Sequence, residues 1–260
     1  MTADEALAAL APWIAKRERP AWRPTVEEGD GAPTDSKFAG LPLLAEGEAW
    51  PACGGCGQPL ELFLQLDLDA LPDELGDRYG SGLVQLFYCT GDCDGGWEPF
   101  NSEGVSLCRV LPAGAGAPAA ENPGTFPPQR IVGWEPLVDR PHGMEHERLG
   151  LVTDYHFNAV PYRPTEVICE EVGFRAEGMA TAKAIAERIA PADGDKLAGW
   201  PHWGQGPERP ACPECGEAME LLFQLDSEAN VPFMFGDSGV GHVTQCPTHK
   251  QVVAFGWACC

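Results

Sequence analysis

The chain has 260 residues, of which 44% are apolar, so it can bury a hydrophobic core and is not expected to be disordered throughout. Its 39 acidic and 17 basic side chains give a net charge of −22, which argues against binding to phosphate backbones. No apolar run is long enough to cross a membrane, and the acidic N-terminus lacks the basic region of a signal peptide, so we expect a cytoplasmic protein.

The predicted elements are mostly short strands. Thr2 and Glu5 form a capping box before an apolar stripe, which predicts a helix over residues 3–18. Segments rich in Pro and Gly predict loops over 19–36 and 112–128. An Ala-rich stretch from Met179 to Ile189 predicts a second helix, within 177–190, and Phe235–Gly239 predicts a hairpin turn. Strands are predicted near residues 60–67, 83–89, 104–111, 130–137, 165–170, 219–226, 240–246 and 251–257.

Eleven cysteines are many for a chain that we expect in a reducing compartment, where metal ligation is commoner than disulfide formation. Two C-x-x-C pairs each form a tight turn followed by Gly: Cys53 with Cys56, and Cys212 with Cys215. Such turns are typical of zinc knuckles, which aim two thiolates at one ion. A redox role would require a helix directly after the pair, whereas both pairs precede predicted strands.

The two cysteine pairs belong to an internal duplication. Residues 37–67 and 196–226 align without a gap at an offset of 159, with 15 of 31 positions identical. Each copy reads Lys-x-Ala-Gly-x-Pro, then a loop, a knuckle and a strand. We therefore expect a mainly β (α+β) fold of two duplicated antiparallel β units with few short helices, each carrying a zinc knuckle. The expected bounds are an N-terminal helix and loop (1–36) and two repeats (37–150 and 151–260) that form one compact domain.

A later strand in each copy ends in a further potential ligand pair, which predicts two structural zinc ions. The expected first site is Cys53, Cys56, Cys89 and Cys93, and the expected second is Cys212, Cys215, Cys246 and His249. Cys259 competes with His249, but a strand over 251–257 would carry Cys259 on the order of 25 Å from the turn. Cys108 and Cys169 are predicted to be buried as small hydrophobic residues.

Other repeated polar residues are candidates for binding. Glu61, Gln65 and Asp67 recur as Glu220, Gln224 and Asp226 and could line a groove between the copies, or else face solvent and close the turns at the strand ends. Trp200 and Trp203 occur in a loop rich in Pro and Gly, where they could form an exposed contact patch if they are not in the core. His142 and His146 lie in a segment predicted to be a polar loop, with a metal or acid–base role as the alternative.

Several of these pieces resemble the YwqG-like family of bacterial proteins, a domain of unknown function. The resemblance covers roughly residues 36–258 and rests on Phe38–Pro42, Trp50–Cys56, Phe63–Asp67, Gly199–Trp203, Leu222–Ser227 and Gly236–Gly239. It implies a duplicated, mostly antiparallel β fold and transfers no catalytic residues. The knuckles are also similar to those of the eukaryotic Trus and programmed-cell-death-two proteins, which are chaperones for a basic ribosomal protein.

The function expected from these observations is that of a non-enzymatic binding protein, stabilised by zinc, whose acidic surface engages a basic protein in a chaperone-like or immunity-like role. The alternative is a metal-dependent hydrolase that uses an open zinc site or the carboxylates between the copies. A third hypothesis is a redox sensor built on the terminal pair Cys259 and Cys260.

Overall fold

The computed structural model describes residues 2–93, 99–100, 104–156 and 163–259. Strands account for 34% of the described chain and helices for 15%, so the fold is mainly β, as predicted. The helices are α1 (Ala3–Ala15), α2 (Gly143–His146) and α3 (Met179–Arg188). The strands are β1 (Arg19–Glu28), β2 (Lys37–Phe38), β3 (Leu43–Leu44), β4 (Glu61–Asp67), β5 (Leu83–Tyr88), β6 (Ser106–Leu111), β7 (Ala117–Pro118), β8 (Gln129–Asp139), β9 (Val152–His156), β10 (Arg163–Cys169), β11 (Phe174–Glu177), β12 (Lys196–Ala198), β13 (Glu220–Asp226), β14 (Val240–Gln245) and β15 (Val253–Ala258).

The chain divides into two compact units, each assembled from separate stretches of sequence. The helical unit comprises Met1–Ala21, Leu137–Ala192 and Gly199–Pro207, and the sheet unit comprises Trp22–Pro136, Asp193–Ala198 and Glu208–Cys260. The predicted repeat bounds, 37–150 and 151–260, stay a prediction, because these units group residues by contact and not by repeat.

The helical unit contains a three-stranded antiparallel sheet in the order β11-β10-β9. Helix α1 begins as predicted, with the Thr2 side chain accepting from the Glu5 backbone and the Glu5 side chain accepting from the Thr2 backbone. Its Leu10 and Trp13 side chains are buried in a cluster with Ile185 of α3. Within the described residues, no helix is long and apolar enough to cross a membrane.

The sheet unit is built on ten strands in the order β15-β14-β13-β12-β1-β8-β2-β4-β5-β6. Its terminal strands, β15 and β6, lie against each other, so the sheet comes close to closing into a barrel. Strands β4 and β13 are buried almost throughout, and their phenylalanines Phe63 and Phe223 lie in the main hydrophobic cluster. The predicted strands are confirmed to within a few residues at their ends.

The loop predicted over residues 19–36 is wrong in its first part, because Arg19–Glu28 forms β1. Two prolines and several charged residues suggested a loop, but β1 lies between β12 and β8 in the sheet. Pairing with neighbours that are distant in sequence supplies hydrogen bonds that local composition does not reveal. Trp22 anchors this strand in the main hydrophobic cluster.

The strand pairs β4–β5 and β13–β14 have the same relative orientation and the same irregularity in their pairing register. Both pairs are antiparallel, and the first carries a register shift between Leu62 and Leu64. The second carries its shift between Leu221 and Phe223, at the positions 159 residues later. A shared bulge is a specific feature, since bulges change the twist and the direction of side chains.

Candidate metal centres

The first cysteine cluster lies at one end of the β4–β5 hairpin. Cys53 and Cys56 precede β4, and Cys89 immediately follows β5. Because the first residue of β4 is the register partner of the last residue of β5, the knuckle and Cys89 come to the same end. Cys93 completes the group four residues later, and the four sulfurs all lie within 4.8 Å of one another.

The second cluster is built in the same way on β13 and β14. Cys212 and Cys215 precede β13, and Cys246 immediately follows β14. Their sulfurs and one ring nitrogen of His249 all lie within 4.8 Å of one another. Cys259, the competing candidate, lies instead beside the Phe235–Gly239 turn, where its thiol is the nearest atom to a Cβ built on Gly236.

Each knuckle is held by the same pair of backbone hydrogen bonds. The Cys53 N–H donates to the Gln58 carbonyl at 2.7 Å, and the Gly57 N–H donates to the Cys53 carbonyl at 2.8 Å. In the second knuckle, Cys212 donates to Glu217 and Gly216 donates to Cys212, both at 2.8 Å. Gly57 and Gly216 have φ values of +73° and +75°, a conformation that favours glycine. This explains why each C-x-x-C is followed by Gly.

The sulfur spacing in the first cluster fits a tetrahedral ion. Metal–sulfur bonds of about 2.3 Å in a tetrahedron place the sulfurs about 3.8 Å apart. The Sγ atoms of Cys53 and Cys93 are 3.7 Å apart, and those of Cys56 and Cys89 are 3.8 Å apart. These distances exclude a disulfide, whose sulfurs are about 2.05 Å apart.

The second cluster has the same spacing with one nitrogen donor. The Sγ atoms of Cys215 and Cys246 are 3.6 Å apart. Nδ1 of His249 lies 3.7 Å from Cys212 Sγ and 3.8 Å from Cys246 Sγ. A tetrahedral ion with bonds of about 2.3 Å to sulfur and about 2.0–2.1 Å to nitrogen needs a sulfur–nitrogen separation of about 3.6 Å. Nδ1 is therefore the atom of the imidazole that faces the centre.

Hydrogen bonds stabilise one thiolate in each cluster. Burial raises the pKa of Cys53, but the backbone N–H groups of Cys56 and Gly55, with two neighbouring thiols, lower that pKa to about 7. At Cys246 burial is likewise outweighed by the N–H groups of His249 and Thr248, which lie 3.2 and 3.4 Å from the sulfur, and the pKa falls to about 6. Thiolate is the form that binds metal, so both clusters are prepared for a cation.

Two thiols in contact with these thiolates, Cys93 and Cys215, keep their protons more firmly. Hydrogen bonds with Cys56 and Cys53 raise the pKa of Cys93 to about 12. The pKa of Cys215 is raised to about 11, since burial and the neighbouring sulfurs outweigh a hydrogen bond from the Glu217 backbone. Binding of a metal ion therefore releases protons from both clusters.

The repeated carboxylates are occupied by contacts within the chain. Glu61 accepts two hydrogen bonds from Thr125, at 2.6 Å from the backbone N–H and 2.8 Å from the hydroxyl. Glu220 instead pairs with Arg78 at 2.9 Å. Asp67 accepts from the Asp69 N–H directly after β4, as expected for a residue that closes the strand-end turn.

The repeated glutamines are structural. Gln65 and Gln224 are completely buried, and each side-chain amide donates to a backbone carbonyl of the segment preceding β2 or β12. Gln65 also accepts from the Leu43 N–H at 3.0 Å. Asp226, like Asp67, accepts from the backbone nearby, with Gly194 and Ser227 as its donors. The groove between the copies stays a prediction that these contacts do not support.

The exposed patch considered for Trp200 and Trp203 is wrong. Both side chains are only 2% exposed. The indole N–H of Trp200 donates to the Arg17 carbonyl, and that of Trp203 donates to the buried Glu145 carboxylate. Pro- and Gly-rich composition indicated a loop correctly but not whether its aromatic side chains point inward.

The polar loop predicted around His142 contains the short helix α2, and two of its polar side chains are buried. Glu145 is fully buried and pairs with Arg148, and His146 is 5% exposed and lies 3.1 Å from the Pro141 carbonyl. Burial lowers the pKa of His146. Among the described residues, the only groups of three or more His, Cys, Asp or Glu side chains arranged to hold a metal are the two cysteine clusters.

Comparison with protein-family models gives a match over most of the chain. Residues 36–245 match the family described as a domain of unknown function, DUF1963. The chain belongs to this family. The DUF1963 match includes both knuckles and ends one residue before Cys246, so the last two members of the second cluster lie just beyond it. A search of curated proteins finds no match.

Proposed function

We propose that this DUF1963 protein is a non-enzymatic binding protein whose two β repeats are each stabilised by one structural zinc ion. The observation that carries the zinc assignment is the pair of four-donor clusters at tetrahedral spacing. Seven thiols and one imidazole are the ligands that structural zinc prefers, and four protein ligands leave no position for a substrate. In each repeat, the ion would link residues that precede the first strand of the hairpin to residues that follow the second strand.

The duplication is part of this proposal. It is supported by the sequence identity at an offset of 159 and by the matching bulges, knuckle hydrogen bonds and φ values. The isolated bridges Ala52–Pro59 and Ala211–Ala218 are a further match at the same offset. The finer resemblance to YwqG-like proteins and to the Trus chaperones belongs to the proposal as well.

Metal content is the direct test of the zinc sites. We expect about two zinc ions per purified chain, and we expect a strong chelator to abolish the cooperative unfolding transition of the sheet unit. A chelated sample to which zinc is added back should regain both the two bound ions and the cooperative unfolding transition. Purified protein that contains no zinc and does not bind it when reduced would contradict the assignment.

A basic protein partner is proposed from the charge distribution. Within the described part of the chain, at least twelve of the 17 lysines and arginines pair with a carboxylate of the same chain. Few lysines and arginines therefore remain to neutralise the surplus of carboxylates that is presented to solvent. A field of one sign accelerates encounter with an oppositely charged partner.

The acidic segment Asp67–Asp77 is the proposed contact region. Its exposed carboxylates Asp69, Asp73, Glu74 and Asp77 have no ion-pair partner among the described residues. Asp67 and Asp69 also line a cavity of about 350 Å³ beside this segment. Burial, and after it the neighbouring Asp69 and Asp35 carboxylates, raise the pKa of Asp67. The negative charge of those two neighbours would favour a cation here.

Charge reversal tests this region. The wild-type chain, loaded with zinc, should capture a basic protein from a native lysate at moderate salt, and D73K/E74K/D77K should not. A control with the same change in charge, E121K/E147K/E177K, alters exposed carboxylates elsewhere and should retain the partner. Recovery of no basic protein, or equal loss in both variants, would overturn the proposal.

The alternative, a metal-dependent hydrolase, has less support. His249 fills the fourth position of the second cluster, so neither cluster offers the open coordination that a catalytic zinc needs. The carboxylates considered for catalysis, Glu61 and Glu220, are engaged by Thr125 and Arg78. The redox hypothesis stays a prediction, because Cys260 lies outside the described residues.

A further inference from the structure

We infer that Glu214 is a positioning residue for the second metal centre, holding the His249 imidazole so that Nδ1 faces the thiolates. This inference rests on the proposed zinc site and adds a residue that belongs to neither cluster. Glu214 lies inside the knuckle, between Cys212 and Cys215. Its Oε2 is 3.4 Å from Nε2 of His249, on the side of the ring opposite the sulfurs.

The two ring nitrogens of His249 thus face different surroundings. Nδ1 faces Cys212 and Cys246 and must present a lone pair to a metal ion. Nε2 must then carry the hydrogen of the neutral imidazole, and the Glu214 carboxylate, 3.4 Å away, is the acceptor that we assign to it. A carboxylate in this place fixes the tautomer and the orientation of the ring.

The first knuckle supplies a comparison within the same chain. The position equivalent to Glu214 is Gly55, and the fourth ligand there is Cys93 instead of histidine. A Cβ on Gly55 would lie 3.1 Å from Cys93 Sγ, so that loop has little room for a side chain. A thiolate has no tautomer to select, so the all-cysteine centre needs no such residue. The carboxylate occurs in the one knuckle whose cluster contains an imidazole.

The knuckle itself holds Glu214 in place. The hydrogen bonds from Gly216 to Cys212 and from Cys212 to Glu217 close the turn on which Glu214 is carried. The side chain is 56% exposed and that of His249 is 35% exposed, so the contact lies at the rim of the cluster. We therefore expect Glu214 to affect the retention of metal more than the stability of the fold.

The test compares E214A, E214Q and E177A in the full chain loaded with zinc or with cobalt(II). For E214A we expect release of one of two metal ions to a chelator to be faster by about 10- to 100-fold, with the other ion unaffected. E214Q should lie between E214A and the wild type, since its amide oxygen still accepts from Nε2–H. E177A removes an exposed carboxylate outside the clusters and the proposed contact region, and it should behave as the wild type.

Two spectroscopic readouts separate positioning from a general structural effect. The cobalt(II) absorption of the mixed sulfur–nitrogen centre should weaken or shift in E214A, and the ¹⁵N shifts of the His249 ring should lose the pattern of a metal-bound Nδ1 with a protonated Nε2. Unchanged release and spectra in E214A would overturn the inference. A wild-type chain that binds no metal would instead overturn the proposed function, so the two failures are distinguishable.

Discussion

The Asp195 carboxylate accepts a 2.7 Å hydrogen bond from the backbone N–H of Asp226, and the Ser36 hydroxyl plays the same part for Asp67 at 2.9 Å. The two acceptors are equivalent in the alignment at an offset of 159. Asp195 receives two more hydrogen bonds, from the backbone and side chain of Asn230. The first of the two similar segments thus uses a neutral hydroxyl where the second uses a carboxylate.

The carboxylate of Asp195, in place of a hydroxyl, makes the stability of the fold depend on pH. Burial raises the pKa of Asp195 to about 6 in spite of its hydrogen bonds, whereas in the unfolded chain it stays near 3.8. The folded state therefore binds more protons between these values, and the contribution of Asp195 to the free energy of unfolding falls as pH rises from about 4 to about 6. The loss is on the order of 2–3 kcal/mol and is constant above that range.

Asp195→Ser, the residue that the first copy uses, should remove this dependence. The measurement is the difference in unfolding free energy between variant and wild type, from urea titrations at pH values between 4 and 7. From about pH 4 to about pH 6, the free energy of unfolding of the variant should rise relative to that of the wild type. Above about pH 6, the difference between the two should stay constant. Metal release at low pH affects both proteins and cancels in the difference. Parallel curves would show that Asp195 titrates normally.

The buried ion pair of Lys37 predicts a strongly asymmetric response to mutation. The Lys37 side chain is 1% exposed, and its ammonium donates to Asp30 at 2.6 Å and to the Ala32 and Leu41 carbonyls at 3.1 Å. Asp30→Ala leaves a buried charge without its counterion and should cost about 3–5 kcal/mol. Lys37→Met should cost less, and the double variant should be close to Lys37→Met alone. Chemical denaturation of the two single variants and the double variant checks this. If the two single losses in the free energy of unfolding add up in the double variant, the pairing is contradicted.

The Ala-Gly pair of the repeated motif carries backbone strain in both copies. Ala39 and Ala198 have φ values of +56° and +60°, a left-handed conformation that costs non-glycine residues roughly 1–2 kcal/mol. Ala39→Gly and Ala198→Gly should therefore raise the free energy of unfolding by up to about 1 kcal/mol, after the entropic cost of glycine. Ala8→Gly, on the exposed face of α1, is the control and should lower it by about 1 kcal/mol.

The glycine that follows Ala39 should respond in the opposite direction. Gly40 has a φ of +83°, and a Cβ there would lie 2.6 Å from Oδ1 of Asp30. Gly40→Ala should therefore destabilise by more than the strain alone, because it displaces the carboxylate that neutralises Lys37. A thermal melt that matches the wild type would show that this turn can relax without cost.

Two variants decide the fourth ligand of the second cluster. His249→Ala should leave about one tightly bound zinc per chain, and Cys259→Ser should retain about two. The reason is position: His249 lies among the three thiols, and Cys259 lies beside the Phe235–Gly239 turn. Elemental analysis of both purified variants checks this. The reverse outcome would assign Cys259 as the ligand.

The cysteine clusters could be predicted from sequence because the ligands occur at fixed spacings before and after recognisable strands. The choice between the core and an exposed patch for Trp200 and Trp203 could not be made, since it depends on partners such as Glu145 that lie far away in sequence. Strand β1 is not predictable from local sequence for a similar reason, because its neighbours in the sheet begin more than a hundred residues later.

Glu214 shows what a comparison between the copies could have found. The two knuckles are similar in sequence, but one has Gly55 at the position where the other has Glu214. That difference coincides with the change of the fourth ligand from Cys93 to His249, so it was a usable signal. Whether the carboxylate reaches the imidazole depends on the orientation of the knuckle turn, which only the structure gives.

If each cluster holds the proposed zinc ion, the ion joins residues near the two ends of a hairpin and closes a ring in the chain, from Cys53 to Cys93 and from Cys212 to His249. If the protein were pulled by its termini, tension would pass across each ion and bypass the residues inside the ring. Each ring would hide roughly forty residues, or about 130 Å of contour length, until its metal–ligand bonds broke. A protease or a translocating machine would meet the same two obstacles, and a chelator would remove both without cutting the chain.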